Sequence, residues 1–142
     1  MAALRERFGE DRTILLGVDR LDYTKGIDRR LEAFESALAS GRIDPDRVCF
    51  IQVCVPSRDS ATHYPEINAR VDRLAGRING RFSTLGRPVL EYTRRPVGME
   101  DLIPLYRLAD VMVVTPFRDG MNLVAKEYVA CRAFGKGELI LS

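Results

Sequence analysis

Five short apolar runs, separated by segments with helical spacing, constrain the fold of this chain more than any other feature. Most positions within each run are apolar, so the runs lack the polar–apolar alternation of a strand with one solvated face. Strands of this kind belong to parallel sheets covered by helices. The predicted strands are Thr13–Val18, Val48–Val55, Val89–Thr93, Val111–Val114 and Glu138–Leu141.

The segments between these strands are predicted to be amphipathic helices. The first helix has apolar residues at positions 27, 31, 34 and 38, places Arg30, Glu32 and Glu35 on its other faces, and ends near Gly41. The remaining predicted helices cover 67 to about 80, 102–108 and 122 to about 132. The alternation predicts one α/β domain over residues 1–142, a Rossmann-like parallel sheet with helices on both faces.

Composition excludes several classes of protein. The 142 residues are 46% hydrophobic and carry a formal net charge of +2, which indicates a globular chain and gives no argument for nucleic acid or an anionic membrane. No apolar run approaches the roughly 18–20 residues of a membrane span, and the N-terminal residues lack a signal-peptide core, so we expect a cytoplasmic protein. With one histidine and widely placed cysteines, we expect buried free thiols at Cys49, Cys54 and Cys131 and no zinc site.

In open parallel sheets, ligands bind outside the carboxyl ends of the strands. The loop DRLDYTKG, at residues 19–26, follows the first strand and carries Arg20 and Lys25 just before a helix. Gly26 allows a tight turn there, and the helix N-terminus adds about half a positive charge. The pattern predicts a phosphate or diphosphate site, and a charged loop with local Arg–Asp pairs is the alternative.

Two further loops follow predicted strands. Arg58, in PSRDS, could reach an anion in the same crevice, or could instead be a surface arginine capped by Asp59. The segment TPFRDGMNLVAKEYVACR turns at Gly120 and opens a helix, and the N–H groups around Met121 to Leu123 have no intrahelical acceptor.

Two acids lie in this last segment. Asp119 could accept hydrogen bonds from hydroxyl groups, and Glu127 lies about 8 Å along the helix, where a carboxylate could take two adjacent ribose hydroxyls. The alternatives are an N-cap for Asp119 and, for Glu127, a solvated acid paired with a nearby Lys or Arg. A ligand that is anionic in the middle and hydroxylated at both ends, such as a sugar nucleotide, fits all three loops.

The stretches GVDRLDYTKG, VPSRDS and TPFRDGMNLVAKEYVA together resemble trehalose-6-phosphate synthases, retaining glycosyltransferases of family 20 with the GT-B fold. The resemblance covers nearly the whole chain, in order and with the expected spacing. It implies transfer of glucose from UDP-glucose, or another NDP-glucose, to glucose 6-phosphate with retention of configuration, and no cofactor or metal. No protein nucleophile is expected, because the departing phosphate oxygen takes the acceptor's proton.

The resemblance also assigns roles to residues. Arg20 and Lys25 match residues that hold the donor diphosphate, Asp119 matches an acid that contacts the transferred glucose, and Glu127 matches the acid on the ribose hydroxyls. Arg58 matches an arginine linked to the acceptor's phosphate. A backbone-rich segment around the sugar and phosphates corresponds to Gly120, Met121, Asn122, Leu123 and Val124, and residues 95–97 correspond to the base site.

In such enzymes the site lies between two Rossmann-like domains, and the resemblance covers most of the donor-side one. The last predicted strand has no helix after it, so we expect a domain incomplete at its C-terminal end and a missing N-terminal acceptor domain or partner chain. The lone chain is then expected to bind nucleotide weakly and not to turn over, and a homo-oligomer is expected only for the full-length protein. Alternatives are a non-catalytic nucleotide-sugar-binding module and a related glycosyltransferase with another acceptor.

Overall fold

A five-stranded parallel sheet forms the centre of the computed structural model, which describes residues 2–20, 25–55, 65–95, 97–117, 123–132 and 137–141. The strand order is β3-β2-β1-β4-β5, and every recorded pairing is parallel, as predicted. The strands are β1 (Thr13–Arg20), β2 (Val48–Val55), β3 (Leu90–Thr93), β4 (Val111–Val114) and β5 (Glu138–Leu141).

Helices cover both faces of this sheet, which confirms the predicted architecture. A 3₁₀ turn at Pro45–Arg47 precedes β2. The helices are α1 (Ala2–Phe8), α2 (Ile27–Ala39), α3 (Pro65–Phe82), α4 (Met99–Leu108) and α5 (Leu123–Cys131).

Two apolar cores lie on opposite faces of the sheet. One core packs α2 and α3 against β1–β3 and includes Leu31, Phe34 and Phe50. The other packs α1, α4 and α5 and includes Phe8, Tyr106 and further residues of β1, β2 and β4. Strand β2 supplies side chains to both cores, as expected for a strand buried on both faces.

Cys49 and Cys54 lie on opposite faces of β2, since each belongs to a different core. Burial raises the pKa of the Cys49 thiol to about 11 and that of Cys54 to about 12, so both stay protonated at neutral pH. Cys131 is also a free thiol, but it is only half-buried, and the prediction of full burial was wrong there. It lies in the last turn of α5, at the rim of the second core.

Helix α1 was not predicted from the sequence. Its seven residues are held by tertiary contacts: Phe8 is buried, and Arg5 donates to the carbonyl of Leu108 and to the carboxylate of Asp110. Elsewhere the predicted elements are present, and their ends differ by up to three residues. No helix within the described parts of the chain is both long and apolar enough to cross a membrane.

Candidate functional site

The candidate site lies at the carboxyl edge of the sheet, where β1 and β4 are neighbours. Leu15 of β1 pairs with Val111 of β4, although β4 follows β1 by about ninety residues in sequence. The chain therefore leaves β1 toward β2 on one side and leaves β4 toward β5 on the other. This is the topological switch point of the sheet, where doubly wound folds form their ligand crevice.

The predicted cation loop begins at this edge. Arg20 is the last residue of β1 and is exposed, and its partner across the ladder is Val55 at the end of β2. Lys25 is half-buried and precedes Gly26, which has a φ of 66° and caps α2 without a side-chain hydrogen bond. The predicted turn at Gly26 is confirmed, and it leaves the first N–H groups of α2 without a capping side chain at the ligand edge.

Gly26 also joins this loop to the segment that follows β4. A Cβ atom at Gly26 would lie 2.9 Å from the carbonyl oxygen of Thr115 and 3.3 Å from the ring of Phe117. Only glycine allows this approach together with a positive φ. Two of the three loops singled out in the sequence therefore lie against each other.

A buried polar network, centred on Arg30, lies next to the same edge of the sheet. The Arg30 guanidinium is paired with Asp19 through both of its Nη atoms, and Nη1 also donates to Gln52 Oε1 at 3.0 Å. Its Nε donates to Thr115 Oγ1 at 2.9 Å, and Gln52 Nε2 donates to Asp19 Oδ2 at 3.0 Å. The network thus fixes the ends of β1 and β4 relative to β2 and α2.

The placement of Arg30 away from the core face of α2 was wrong. Its side chain is 3% exposed, because position 30 shares the buried face with Ile27 and Leu31 and the charge is matched by Asp19. The pair of Arg30 and Asp19 also concerns the alternative of local Arg–Asp pairs within the loop at residues 19–26. Asp19 is paired with Arg30, and Arg20, the last residue of β1, is exposed.

Glu127 occupies the second turn of α5 and is half-buried. Its Oε2 accepts a hydrogen bond of 2.8 Å from the hydroxyl of Tyr106, which lies in α4. No Lys or Arg nitrogen among the described residues lies within 4.0 Å of this carboxylate. Within those residues, Glu127 therefore forms no surface ion pair. Among the described residues, the partner of Glu127 is therefore a neutral, buried donor.

Tyr106 was not recognised from the sequence as a site residue. It shares the core face of α4 with Leu102, and a tyrosine in an apolar stripe is typical of core packing. A fully buried hydroxyl, however, needs a hydrogen-bond partner. The acid Glu127, in the next helix along the chain, was a candidate for that partner.

Several predicted site residues lie outside the described residues: Arg58, Asp119, Gly120, Met121 and Asn122. Leu123 is exposed at the start of α5, and Val124 packs partly against the second core. Of the segment assigned to the base, Arg95 is exposed and Val97 is half-buried. No group of three or more His, Cys, Asp or Glu side chains in the described ranges is arranged to hold a metal ion.

The profile of glycosyltransferase family 20 matches residues 1–142, the whole of the sequence. The chain belongs to glycosyltransferase family 20. Among similar proteins, a trehalose-6-phosphate synthase of Mycolicibacterium gilvum is 53% identical over 139 residues. That match covers 98% of this chain and 28% of the relative, so the chain spans less than a third of the relative's length.

Solved structures agree with the family 20 assignment. A UDP-forming α,α-trehalose-phosphate synthase from Burkholderia xenovorans, solved in complex with glucose-6-phosphate, matches with a TM-score of 0.89 and 38% identity. An E. coli structure described as trehalose-6-phosphate bound with UDP-2-fluoro glucose matches with the same TM-score of 0.89 and 36% identity. Each match covers 99% of this chain and 31% of the other, so one part of those proteins shares this fold.

Proposed function

We propose that this family 20 chain forms the nucleotide-sugar-binding part of a trehalose-6-phosphate synthase. The enzyme would transfer glucose from UDP-glucose, or another NDP-glucose, to glucose 6-phosphate with retention of configuration. The observation that carries this proposal is the packing of Gly26 on Thr115. It brings the loop with Arg20 and Lys25 against the segment after β4, at the switch point of the sheet.

The donor's diphosphate is the group that suits this edge. Arg20 and Lys25 would stabilise it, with help from the uncapped N–H groups at the start of α2. Asp119 would contact the transferred glucose, Glu127 the ribose hydroxyls, and Arg58 the phosphate of the acceptor. The backbone around the sugar and phosphates would come from Gly120, Met121, Asn122, Leu123 and Val124.

The reaction needs stabilised charge more than a protein nucleophile. The bond between glucose C1 and the diphosphate oxygen breaks, and a bond from C1 to the acceptor hydroxyl oxygen forms on the same face. The acceptor proton passes to the departing phosphate oxygen, which gives UDP and trehalose 6-phosphate. Arg20 and Lys25 would lower the barrier by stabilising the negative charge that develops on the diphosphate. The proposal includes no metal or organic cofactor.

Glycosyl transfer by the whole protein would require more than these 142 residues. Acceptor binding would come mainly from an N-terminal domain or a partner chain, and a homo-oligomer is a further arrangement to expect of the full-length protein. We expect the enzyme to act in the cytoplasm, since the free thiols of Cys49, Cys54 and Cys131 suit a reducing compartment.

Titration of the purified chain with UDP and UDP-glucose, followed by backbone amide NMR, tests the donor site. Arg20→Ala should weaken binding of both by about ten- to a hundredfold, since a charge-assisted phosphate contact contributes roughly 1.5–3 kcal/mol. Arg42→Ala is the matched control, because Arg42 is also exposed but follows α2, away from the carboxyl edge. Equal losses in both variants, or none in either, would contradict the assignment of Arg20.

A product assay tests the reaction itself. The chain supplied with UDP-glucose and glucose 6-phosphate should form no trehalose 6-phosphate alone, and should do so once the remainder of a family 20 enzyme is supplied. Nucleotide binding without product in the completed enzyme would favour a binding module, and a different product would favour another acceptor.

A further inference from the structure

The side chain of Tyr106 is held in one position by the residues packed around it. The side chain is 0% exposed and packs edge-on against Tyr128, with ring centroids 6.4 Å apart and an interplanar angle of 66°. It belongs to the core between α4, α5 and the sheet. A ring held in this way cannot move its hydroxyl without disturbing the core, so the hydroxyl is a fixed donor.

The hydroxyl reaches Glu127 from the core side. Tyr106 is fully buried while Glu127 is half-buried, and the bond to Oε2 is 2.8 Å long. An ionised carboxylate offers about four acceptor positions, of which Tyr106 occupies one. No other hydrogen bond to this carboxylate is recorded among the described residues, so within that part of the chain its other oxygen can accept from groups that approach from the exposed side.

We propose that Tyr106 is a positioning residue for ribose recognition, holding the Glu127 carboxylate so that it accepts from both vicinal hydroxyls of the nucleotide. The inference rests on the proposed function, since it concerns the donor nucleotide of that same site. A free glutamate side chain loses rotamer entropy when a ligand orders it, whereas the Tyr106 bond orders it in advance. The oriented Glu127 carboxylate also selects for ribose, because a nucleotide without these hydroxyls leaves the carboxylate lone pairs unpaired.

The protonation state of Tyr106 suits this role. Burial, followed by the hydrogen bond to Glu127, raises the pKa of Tyr106 well above its ordinary value. The phenol therefore remains protonated at neutral pH and can donate to Glu127.

Tyr106→Phe removes only the hydroxyl, and Tyr128→Phe is its matched control. Tyr128 lies in the same ring pair, but its hydroxyl donates to the Ala109 carbonyl oxygen and not to Glu127. Both variants should keep the dispersed amide spectrum of the wild-type chain. Each is titrated with UDP and with 2′,3′-dideoxyuridine 5′-diphosphate, which keeps the base and diphosphate and lacks the two hydroxyls.

Tyr106→Phe should weaken UDP binding about tenfold and leave binding of the dideoxy analogue within about twofold. Tyr128→Phe should leave both affinities within that range. In a Glu127→Gln background, Tyr106→Phe should no longer change the ratio of the two affinities, because the two residues act as one unit. This ratio separates positioning from a structural role, which would affect both nucleotides alike.

Two results would overturn the inference. If Tyr106→Phe leaves UDP binding unchanged, or weakens binding of both nucleotides equally while wild type prefers UDP, the positioning role fails and the proposed function stands. If wild type binds the two nucleotides equally or binds neither, the ribose site itself fails, and the proposed role of Glu127 fails with it.

Discussion

Gly17, at the middle of β1, is a residue whose missing side chain makes room for the Arg30 network. A Cβ atom there would lie 2.3 Å from Gln52 Oε1 and 2.7 Å from Arg30 Nη1. Gly17→Ala must therefore displace buried polar groups from their partners, and we expect the free energy of unfolding to fall by about 2–3 kcal/mol. Urea unfolding, followed by circular dichroism, measures this change.

Gly76→Ala is the control for this prediction. Gly76 is exposed within α3 and has nothing within 4 Å of the position of a Cβ atom. Alanine should stabilise the helix there by roughly 0.5–1 kcal/mol. A Gly17→Ala variant as stable as Gly76→Ala would show that the Arg30 network has room to rearrange.

The Arg30 network also shows what single residues reveal before a structure is known. Arg20 and Lys25 stood out because they lie between a predicted strand and a helix, at an edge where ligands bind. Glu127 stood out because it is an acid in a helix that starts at the same edge. Arg30 and Tyr106 did not, because their roles come from partners distant in sequence, Asp19 and Gln52 for one and Glu127 for the other. Spacing along one helix does not show what a second element places opposite a residue, and a partner such as Asp19 can bring a charged residue onto the buried face.

At the scale of elements, a charged contact joins α2 to α3 along their outer faces. Glu35 of α2 accepts two hydrogen bonds of 2.7 Å from Arg77 of α3, and Arg81 lies 3.3 Å away. The hydrogen bonds from Arg77 lower the pKa of Glu35 below its ordinary value of 4.5. The paired acid is therefore easier to ionise in the folded than in the unfolded chain.

This lowered pKa predicts a pH dependence of the stability. The contribution of Glu35 should be fully present above about pH 4.5 and should be lost as the pH falls through the lower pKa of the folded state. Glu35→Gln should lower the free energy of unfolding by roughly 1 kcal/mol at pH 7. This difference from wild type should disappear as the pH falls below about 4.5 and through the lower pKa of the folded state. Chemical unfolding at a series of pH values measures both.

Glu10→Gln serves as the control, since Glu10 is exposed and precedes β1. It removes the same charge without removing the contact between α2 and α3. A gap for Glu35→Gln that stays constant down to pH 3 would contradict the lowered pKa.

The elements themselves were predictable where the pattern was strong. The five apolar runs became the five strands of the sheet, because near-continuous apolar runs are typical of parallel strands covered by helices. Helix α1 was missed, because seven residues with several charges give too little periodicity, and its stability comes from Phe8 and Arg5. The order of the strands could not be read from the sequence, since pairing of β1 with β4 depends on contacts between distant segments.

For the whole molecule, the sharing of one sheet by two cores predicts how the chain unfolds. Phe50 of β2 lies in one core, while Ile51 of the same strand lies in the other. Loss of either core exposes a face of the central strands, so the two should unfold in one transition. Leu31→Ala truncates a fully buried side chain of α2. It should lower the free energy of unfolding by about 3 kcal/mol, by the same amount for both cores.

Amide NMR intensities across a urea titration measure the two faces separately in the same sample. Phe34 reports on the core that contains Leu31, and Met112 reports on the opposite core. Their midpoints should coincide in wild type and move together in Leu31→Ala. Leu85→Ala, at a leucine that is fully exposed, should leave both midpoints unchanged. Separate midpoints for the two reporters would show that each face folds as its own unit.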